Sequence, residues 1–225
     1  MILRAALLFF YHIRAAFSWT IAVLPFALIV TLAALTITAP PRDRDRDLLI
    51  ALEGGMPMVM ALFAAPLLVS EGERGTLVWL AVRRPLLGIL GARLIVLSVY
   101  LEVCCVLVAL MAALCWHTSP PWGAVALPLP PTLAFVALSL LAANWGRSPM
   151  PGYLISGAVW LGVLFFGSLL PMREPWLTLN PFAWSAGFGP PVVLRSKLFY
   201  AAVALLLLLP QWWLARPPER LMQTI

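Results

Sequence analysis

Two glutamates lie inside long apolar runs of this 225-residue chain, and they raise the first question about its chemistry. A carboxylate in hydrocarbon costs several kcal/mol unless it faces water, pairs with another group or stays protonated. Such residues can line a path for polar molecules, and we predict that Glu102, Glu53 and Asn144 do so. The alternative is structural: Glu53 reaches the membrane interface, and Glu102 forms a hydrogen bond to Asn144 or Ser98.

Residue patterns for catalysis or for a metal site are missing from the sequence. His12 and His117 are the only histidines, and the topology predicted below places them on opposite sides of a membrane. Cys104, Cys105 and Cys115 show no paired C-x-x-C spacing and read as small buried apolar residues. No G-x-S-x-G and no G-x-x-x-x-G-K-[ST] occurs, so neither a hydrolase nucleophile nor an ATP-phosphate loop is predicted.

The amino-acid composition indicates that the chain lies in a membrane. Hydrophobic residues make up 63% and charged residues 11%, whereas soluble domains carry about 25% charged residues. This apolar surface requires the hydrocarbon of a bilayer. The net charge of +6 does not indicate nucleic acid, because the basic residues lie between apolar runs and no basic patch is interleaved with aromatic residues.

Six apolar runs are long enough to cross a bilayer as helices. They predict an all-α, integral membrane six-helix bundle that forms a single domain over residues 1–225. Residues 1–14 are apolar on most sides and polar at Arg4, His12 and Arg14, which predicts an interfacial helix before the first crossing. The predicted spans cover about residues 15–38, 48–69, 86–115, 124–145, 153–170 and 198–214.

The distribution of positive charge predicts the orientation. If both termini are cytoplasmic, nine of the 15 lysines and arginines lie inside, and half of the outer six belong to the charge-balanced loop 42–47. Cytoplasmic loops of membrane proteins carry an excess of Lys and Arg. We therefore predict a multi-pass protein of the cytoplasmic membrane with both ends inside.

One cytoplasmic connection, residues 70–85, has more structure than a simple turn needs. Ser70 and Glu73 form a capping box, with serine at the N-cap and glutamate at N3, which predicts a short helix. Acidic residues in its first turn suit the positive end of the helix dipole. Pro85 disfavours helix at Arg84 and allows a new helix to start. The pattern predicts a short, rigid helix at the cytoplasmic face.

This connection resembles the segment shared by type-2 permeases of ATP-binding-cassette transporters. In that family, an acidic cluster is followed by Gly-Thr-Leu and then by a break that contains basic residues or proline. A basic residue follows in the next span. In this chain the basic residues come before the proline, and an arginine stands where lysine is common. The resemblance implies a coupling helix that docks into a nucleotide-binding subunit. The matching residues are Glu71, Glu73, Gly75, Thr76, Leu77, Arg83, Arg84, Pro85 and Arg93.

The resemblance also implies partners and cargo. ATP and Mg would be bound by a separate ATPase subunit, since this chain carries no cofactor site of its own. A second copy or a related permease chain would pair with it as a dimer in membrane lipid, and no nucleic acid would be involved. The implied activity is export of amphipathic drugs, peptides or lipids. For residues 171–197 it implies re-entrant helices on the outer side, the alternative being an interfacial loop anchored by Trp176 and Trp184.

Other functions stay open on the sequence alone. A non-transporting membrane scaffold or assembly factor would bind no ATPase. A haem-handling permease of cytochrome c maturation has a similar length, but no arrangement of haem ligands supports it. An intramembrane enzyme would act without an ATPase partner.

Overall fold

The computed structural model describes residues 48–67, 69, 86–116, 123–166, 176–183 and 185–215, together with five isolated helical positions between residues 26 and 38. All regular elements in these ranges are helices, and no strand occurs among them. The helices are α1 (Leu48–Ala64), α2 (Leu86–Trp116), α3 (Gly123–Ala126), α4 (Leu129–Gly146), α5 (Pro149–Phe166) and α6 (Pro190–Ala215).

Three of these helices are long and apolar enough to cross a membrane: Gly88–Leu114 of α2, Leu129–Gly146 of α4 and Pro190–Gln211 of α6. Two shorter apolar helices, Leu48–Ala64 and Pro149–Phe165, accompany them. Large apolar side chains are exposed on the outside of α2, α5 and α6, as expected for surfaces that meet lipid. The described chain therefore has the character of an all-helical membrane protein.

Several helix boundaries differ from the predicted spans, and prolines account for two of them. The fourth predicted span is divided into α3 and α4, with Pro128 at the N-cap of α4 and prolines in its first turn. The fifth begins at Pro149 rather than at 153, because proline is well suited to the first helical turn. The interfacial helix 1–14, the loop 40–47 and the connection 70–85 lie outside the described residues.

The sixth helix begins eight positions before its predicted start at 198. Helix α6 starts at Pro190 and includes Arg195 and Lys197, whose charges had indicated a loop. Before it, Trp176–Leu179 forms a short 3-10 helix and turns follow up to Gly187. We call residues 176–183 and 185–189 the α5–α6 segment.

Helix α4 lies at the centre of the described bundle, where it packs against α1, α5 and α6. Its Ser139 hydroxyl, fully buried, donates a hydrogen bond of 2.6 Å to the Ala61 carbonyl of α1. Gly152 of α5 lies where α1, α4 and α5 meet. A Cβ atom at that position would lie 2.7 Å from the Ser139 carbonyl oxygen and 2.9 Å from the Ala65 Cβ. The missing side chain thus allows three helices to approach closely.

Contacts between distant residues fix the relative directions of these helices. Trp160 of α5 bonds Gly54, while Gly152 lies beside Ala65, so α5 is antiparallel to α1. Helix α6 contacts Glu53 with its first half and Asn144 with its last residues. Helices α1, α4 and α6 therefore run in one direction and α5 in the other.

Helices α4 and α5 are joined by a very short turn. Arg147 caps α4 in the left-handed conformation, with φ at 54°, and its backbone N–H donates to the Ala143 carbonyl. The backbone N–H of Ser148 donates to the same carbonyl at 3.2 Å. This pattern ends the helix and satisfies one of the carbonyls that its last turn would otherwise leave free, that of Ala143.

Candidate functional site

Helix α1 contains a π-helical turn at Ala51–Gly55, and Glu53 occupies its centre. Turns of this kind are rare in proteins, and those that do occur often lie at functional sites. The Glu53 side chain is only 2% exposed. Its carboxylate accepts a hydrogen bond of 2.7 Å from the Ser185 backbone N–H and pairs with the Lys197 ammonium group. One of the two predicted intramembrane carboxylates is therefore buried and ion-paired.

Lys197 supplies the opposite charge from α6 and is 7% exposed. Besides its ion pair with Glu53, the Lys197 Nζ donates to the Pro181 carbonyl at 2.9 Å. Buried charges are tolerated when they are paired and their remaining donors and acceptors are satisfied. The two charges are paired and each partner has a further hydrogen bond to the α5–α6 segment, which explains how a lysine can lie inside the helix that begins at Pro190.

Three neighbouring side chains of α6 fasten the α5–α6 segment by its backbone. The Ser196 hydroxyl donates to the Asn180 carbonyl at 2.7 Å. The Tyr200 hydroxyl donates to the Leu179 carbonyl, also at 2.7 Å. With the bond from Lys197, three successive carbonyls of the segment, at positions 179, 180 and 181, receive donors from one end of α6.

Helix α5 reaches the same π-helical turn from another side. The Trp160 indole N–H donates to the Gly54 carbonyl at 2.7 Å. The turn at Ala51–Gly55 is thus held by α5 through Trp160 and by α6 and the α5–α6 segment through Glu53. A carbonyl such as that of Gly54 can accept a hydrogen bond from a distant side chain when it is not fully used by the bonds of its own helix.

A second polar contact joins α4 and α6 nearer their C-terminal ends. The Asn144 side-chain amide donates to the Gln211 Oε1 at 2.6 Å, and the Gln211 amide donates to the Ala137 carbonyl at 3.3 Å. Both side chains are buried. The Asn144 Oδ1 accepts no hydrogen bond within the described residues. Asn144 therefore links two helices of the bundle.

Glu102 does not form the hydrogen bond to Asn144 or Ser98 that was the structural alternative to a path role. Asn144 bonds Gln211 instead, and the Ser98 hydroxyl donates to the Leu94 carbonyl one turn before it at 2.9 Å. The Glu102 carboxylate forms neither a hydrogen bond nor an ion pair with the part of the chain that the structure describes. It lies partly exposed near the middle of Gly88–Leu114.

Arg93 is not the snorkelling interfacial anchor that its position near the start of a span predicts. Its side chain is 1% exposed, and its guanidinium donates to the Leu67 carbonyl just beyond α1. This contact ties the beginning of α2 to the end of the preceding helical segment. Those are the two ends that the connection 70–85 joins in sequence.

Replacement of Arg93 by methionine is expected to reduce the free energy of unfolding by about 1.5–3 kcal/mol, the usual worth of a hydrogen bond to a charged group. The measurement is urea-induced unfolding of the purified chain in mild detergent. Arg195→Met is the matched control, because Arg195 is exposed on α6 and exposed pairs contribute about 0–1 kcal/mol. Equal effects of the two substitutions would contradict a structural role for Arg93.

The structure places the three predicted path residues apart from one another. Glu53 lies in the polar cluster at the α5–α6 segment, Asn144 in the second contact with Gln211, and Glu102 in neither. Lys197 and Gln211 were missed by sequence reasoning. A sequence signal for Lys197 existed, because it is the sole lysine of the chain and the sixth predicted span begins beside it on the same side of the membrane as Glu53.

Comparison with known proteins leaves the chain without an assigned relative. No protein-family model, curated protein or solved structure matches it. Among the described residues no group of three or more His, Cys, Asp or Glu side chains could hold a metal ion. The family interpretation thus depends on residues 70–93 of the sequence.

Proposed function

We propose that this chain is the transmembrane subunit of an ATP-driven exporter, a permease that moves amphipathic drugs, peptides or lipids across the cytoplasmic membrane. A separate ATP-binding-cassette ATPase would bind ATP and Mg and supply the energy. A second copy or a related chain would complete the permease. The sequence of residues 70–85 supports this proposal through its resemblance to the coupling helix of type-2 permeases.

The structural observation that best supports the proposal is the contact between Arg93 and the Leu67 carbonyl. A connection that transmits movement must be attached to helices that move with it rather than bend independently. The buried guanidinium holds the two helix ends beside the connection together. A push on residues 70–85 would therefore reach α1 and α2 as one unit, and through α1 it would reach α4, against which α1 packs.

Glu102 is the predicted path residue that best fits contact with a transported molecule. Glu53 and Asn144 are both engaged with other helices, whereas the Glu102 carboxylate has no bonding partner among the described residues. A carboxylate near the middle of a membrane helix is stabilised by water or by a cation. We therefore assign Glu102 to the translocation path.

The Glu73→Ala variant tests the coupling role directly. The expected result is that an ATPase copurifies with the wild-type chain, and that the variant stimulates ATP hydrolysis about tenfold less, which corresponds to about 1.4 kcal/mol of lost interaction. The physical reason is the loss of both the capping box and an acidic contact of the coupling helix. ATP hydrolysis by the reconstituted complex is the measurement.

Asp45→Ala serves as the matched control, since the predicted topology places that acidic residue on the other side of the membrane. It should leave stimulation unchanged. If no ATPase copurifies, or if the Glu73→Ala variant stimulates as well as the wild type, the exporter proposal is wrong. A scaffold or an intramembrane enzyme would then account for the chain.

A further inference from the structure

The ion pair between Glu53 and Lys197 differs from a simple bridge between two helices, because each partner also bonds the backbone of the α5–α6 segment. Glu53 accepts from the Ser185 N–H at 2.7 Å. Lys197 donates to the Pro181 carbonyl at 2.9 Å. The segment residues 181 and 185 are thus held by two opposite charges that also hold each other.

The same segment has its own internal bonds, so it forms a compact unit. The Phe182 backbone N–H donates to the Asn180 Oδ1 at 2.9 Å, and the Ser185 hydroxyl donates to the Phe182 carbonyl at 3.1 Å. Ala183, between these bonds, is completely buried. A unit of this kind can move as one piece if its attachments to the helices break.

The helices, in contrast, have attachments that do not involve the segment. Helix α4 packs against α1, α5 and α6, and Ser139 bonds Ala61 across the α1–α4 contact. The Asn144–Gln211 pair joins α4 to α6. Release of the segment would leave these contacts in place.

We propose that Glu53 and Lys197 form a latch that holds Pro181 and Ser185 of the α5–α6 segment against α1 and α6. Rupture of the pair frees this part of the segment, which includes Ala183, while Ser196 and Tyr200 still hold Asn180 and Leu179 and the helices stay packed. A buried ion pair suits a reversible latch. Its partners regain hydration when the segment moves away, and this hydration offsets much of the lost attraction. The latch does not depend on the proposed transport function.

The two residues of the latch are not interchangeable, because Glu53 accepts a hydrogen bond from the segment and Lys197 donates one to it. This difference allows a test. Exchange of the two residues would restore an ion pair, but a lysine at 53 cannot accept from the Ser185 N–H, and a glutamate at 197 cannot donate to the Pro181 carbonyl. A strut that only joins α1 to α6 would survive the exchange. A latch that holds the segment backbone would not.

The experiment measures how fast a water-soluble maleimide labels the Ala183→Cys reporter in the purified chain in detergent. Cys104 and Cys115 are replaced by alanine, and the fully buried Cys105 is kept as an internal monitor of global unfolding. Labelling should be at least tenfold faster in Lys197→Met, in the neutral pair Glu53→Gln with Lys197→Met, and in the exchanged pair Glu53→Lys with Lys197→Glu. Cys105 should stay unlabelled in each.

Ser98→Ala is the control, because that hydroxyl bonds only its own helix among the contacts described, and it should leave the reporter protected. Protection restored by the exchanged pair would overturn the latch in favour of a helix–helix strut. Unchanged labelling in the neutral pair would overturn it too, as would labelling of Cys105 together with the reporter. The neutral pair leaves no unpaired buried charge, so the test holds even if Lys197→Met does not fold. Since no ATPase is present, the result is independent of the exporter proposal.

Discussion

The Lys197→Met variant is expected to lose about 3–5 kcal/mol of folding stability, the usual result when one partner of a buried ion pair is removed. The Glu53 carboxylate would remain 2% exposed in the centre of its π-helical turn, without the Lys197 ammonium group that pairs with it. The Pro181 carbonyl would lose a donor as well. Urea unfolding in mild detergent, followed by tryptophan fluorescence, measures the loss.

The neutral pair, Glu53→Gln with Lys197→Met, should recover most of that stability, because neither buried charge remains. Leu198→Met is the control for the new methionine, since Leu198 is 62% exposed on the same helix and should change stability by less than about 0.5 kcal/mol. If the neutral pair is no more stable than Lys197→Met alone, the loss comes from packing at position 197 and not from an unpaired charge.

The Gly152→Leu variant is expected to destabilise the helix bundle by about 3 kcal/mol or more. Insertion of atoms into a well-packed core usually costs 1–3 kcal/mol, and three conditions at this position raise the cost. Its Cβ would lie 2.7 Å from a backbone oxygen of α4, 2.9 Å from the Cβ of Ala65 at the C-cap of α1 and 3.1 Å from the Ala143 Cβ. None of these atoms is the end of a flexible side chain, so whole helices must shift.

Gly162→Leu on the same helix is the matched control, because a Cβ there would meet nothing within 4 Å. It should be neutral or stabilise the helix by up to about 0.8 kcal/mol, since leucine is a better helix former than glycine. The two variants should therefore differ by about 3–4 kcal/mol in the same unfolding measurement. Similar stabilities would show that α1, α4 and α5 do not depend on their close approach at Gly152.

Elements that depend on local composition could be predicted from the sequence. The predicted span 86–115 matches α2, Leu86–Trp116, because an unbroken apolar run of this length has few alternatives to a helix in a membrane. The predicted start of the sixth span at 198 was wrong, because the charge of Lys197 indicated a loop. Its partner Glu53 lies 144 positions away, and no local pattern shows that a charge is neutralised by so distant a group.

The choice of side-chain partners depended on packing and was largely not predictable. Glu102 and Asn144 are both polar residues within apolar runs, which made them reasonable partners, yet Asn144 bonds Gln211. Arg93 had the position of a snorkelling anchor, but the end of the preceding helical segment offers a carbonyl at hydrogen-bonding range. The π-helical turn at Ala51–Gly55 has no sequence pattern that would have predicted it.

The turn between α4 and α5 has a consequence for how these helices enter the bilayer. Arg147 is the only Asp, Glu, Lys or Arg between residues 103 and 172, and it is exposed at the tip of the helical hairpin, in a left-handed conformation that glycine would adopt with less strain. To invert after insertion, the hairpin would have to drag this guanidinium through hydrocarbon, at a cost of at least about 2.5–3.5 kcal/mol. In a bilayer, a single charge at the tip would therefore oppose inversion of the hairpin and favour the orientation in which its two helices first inserted.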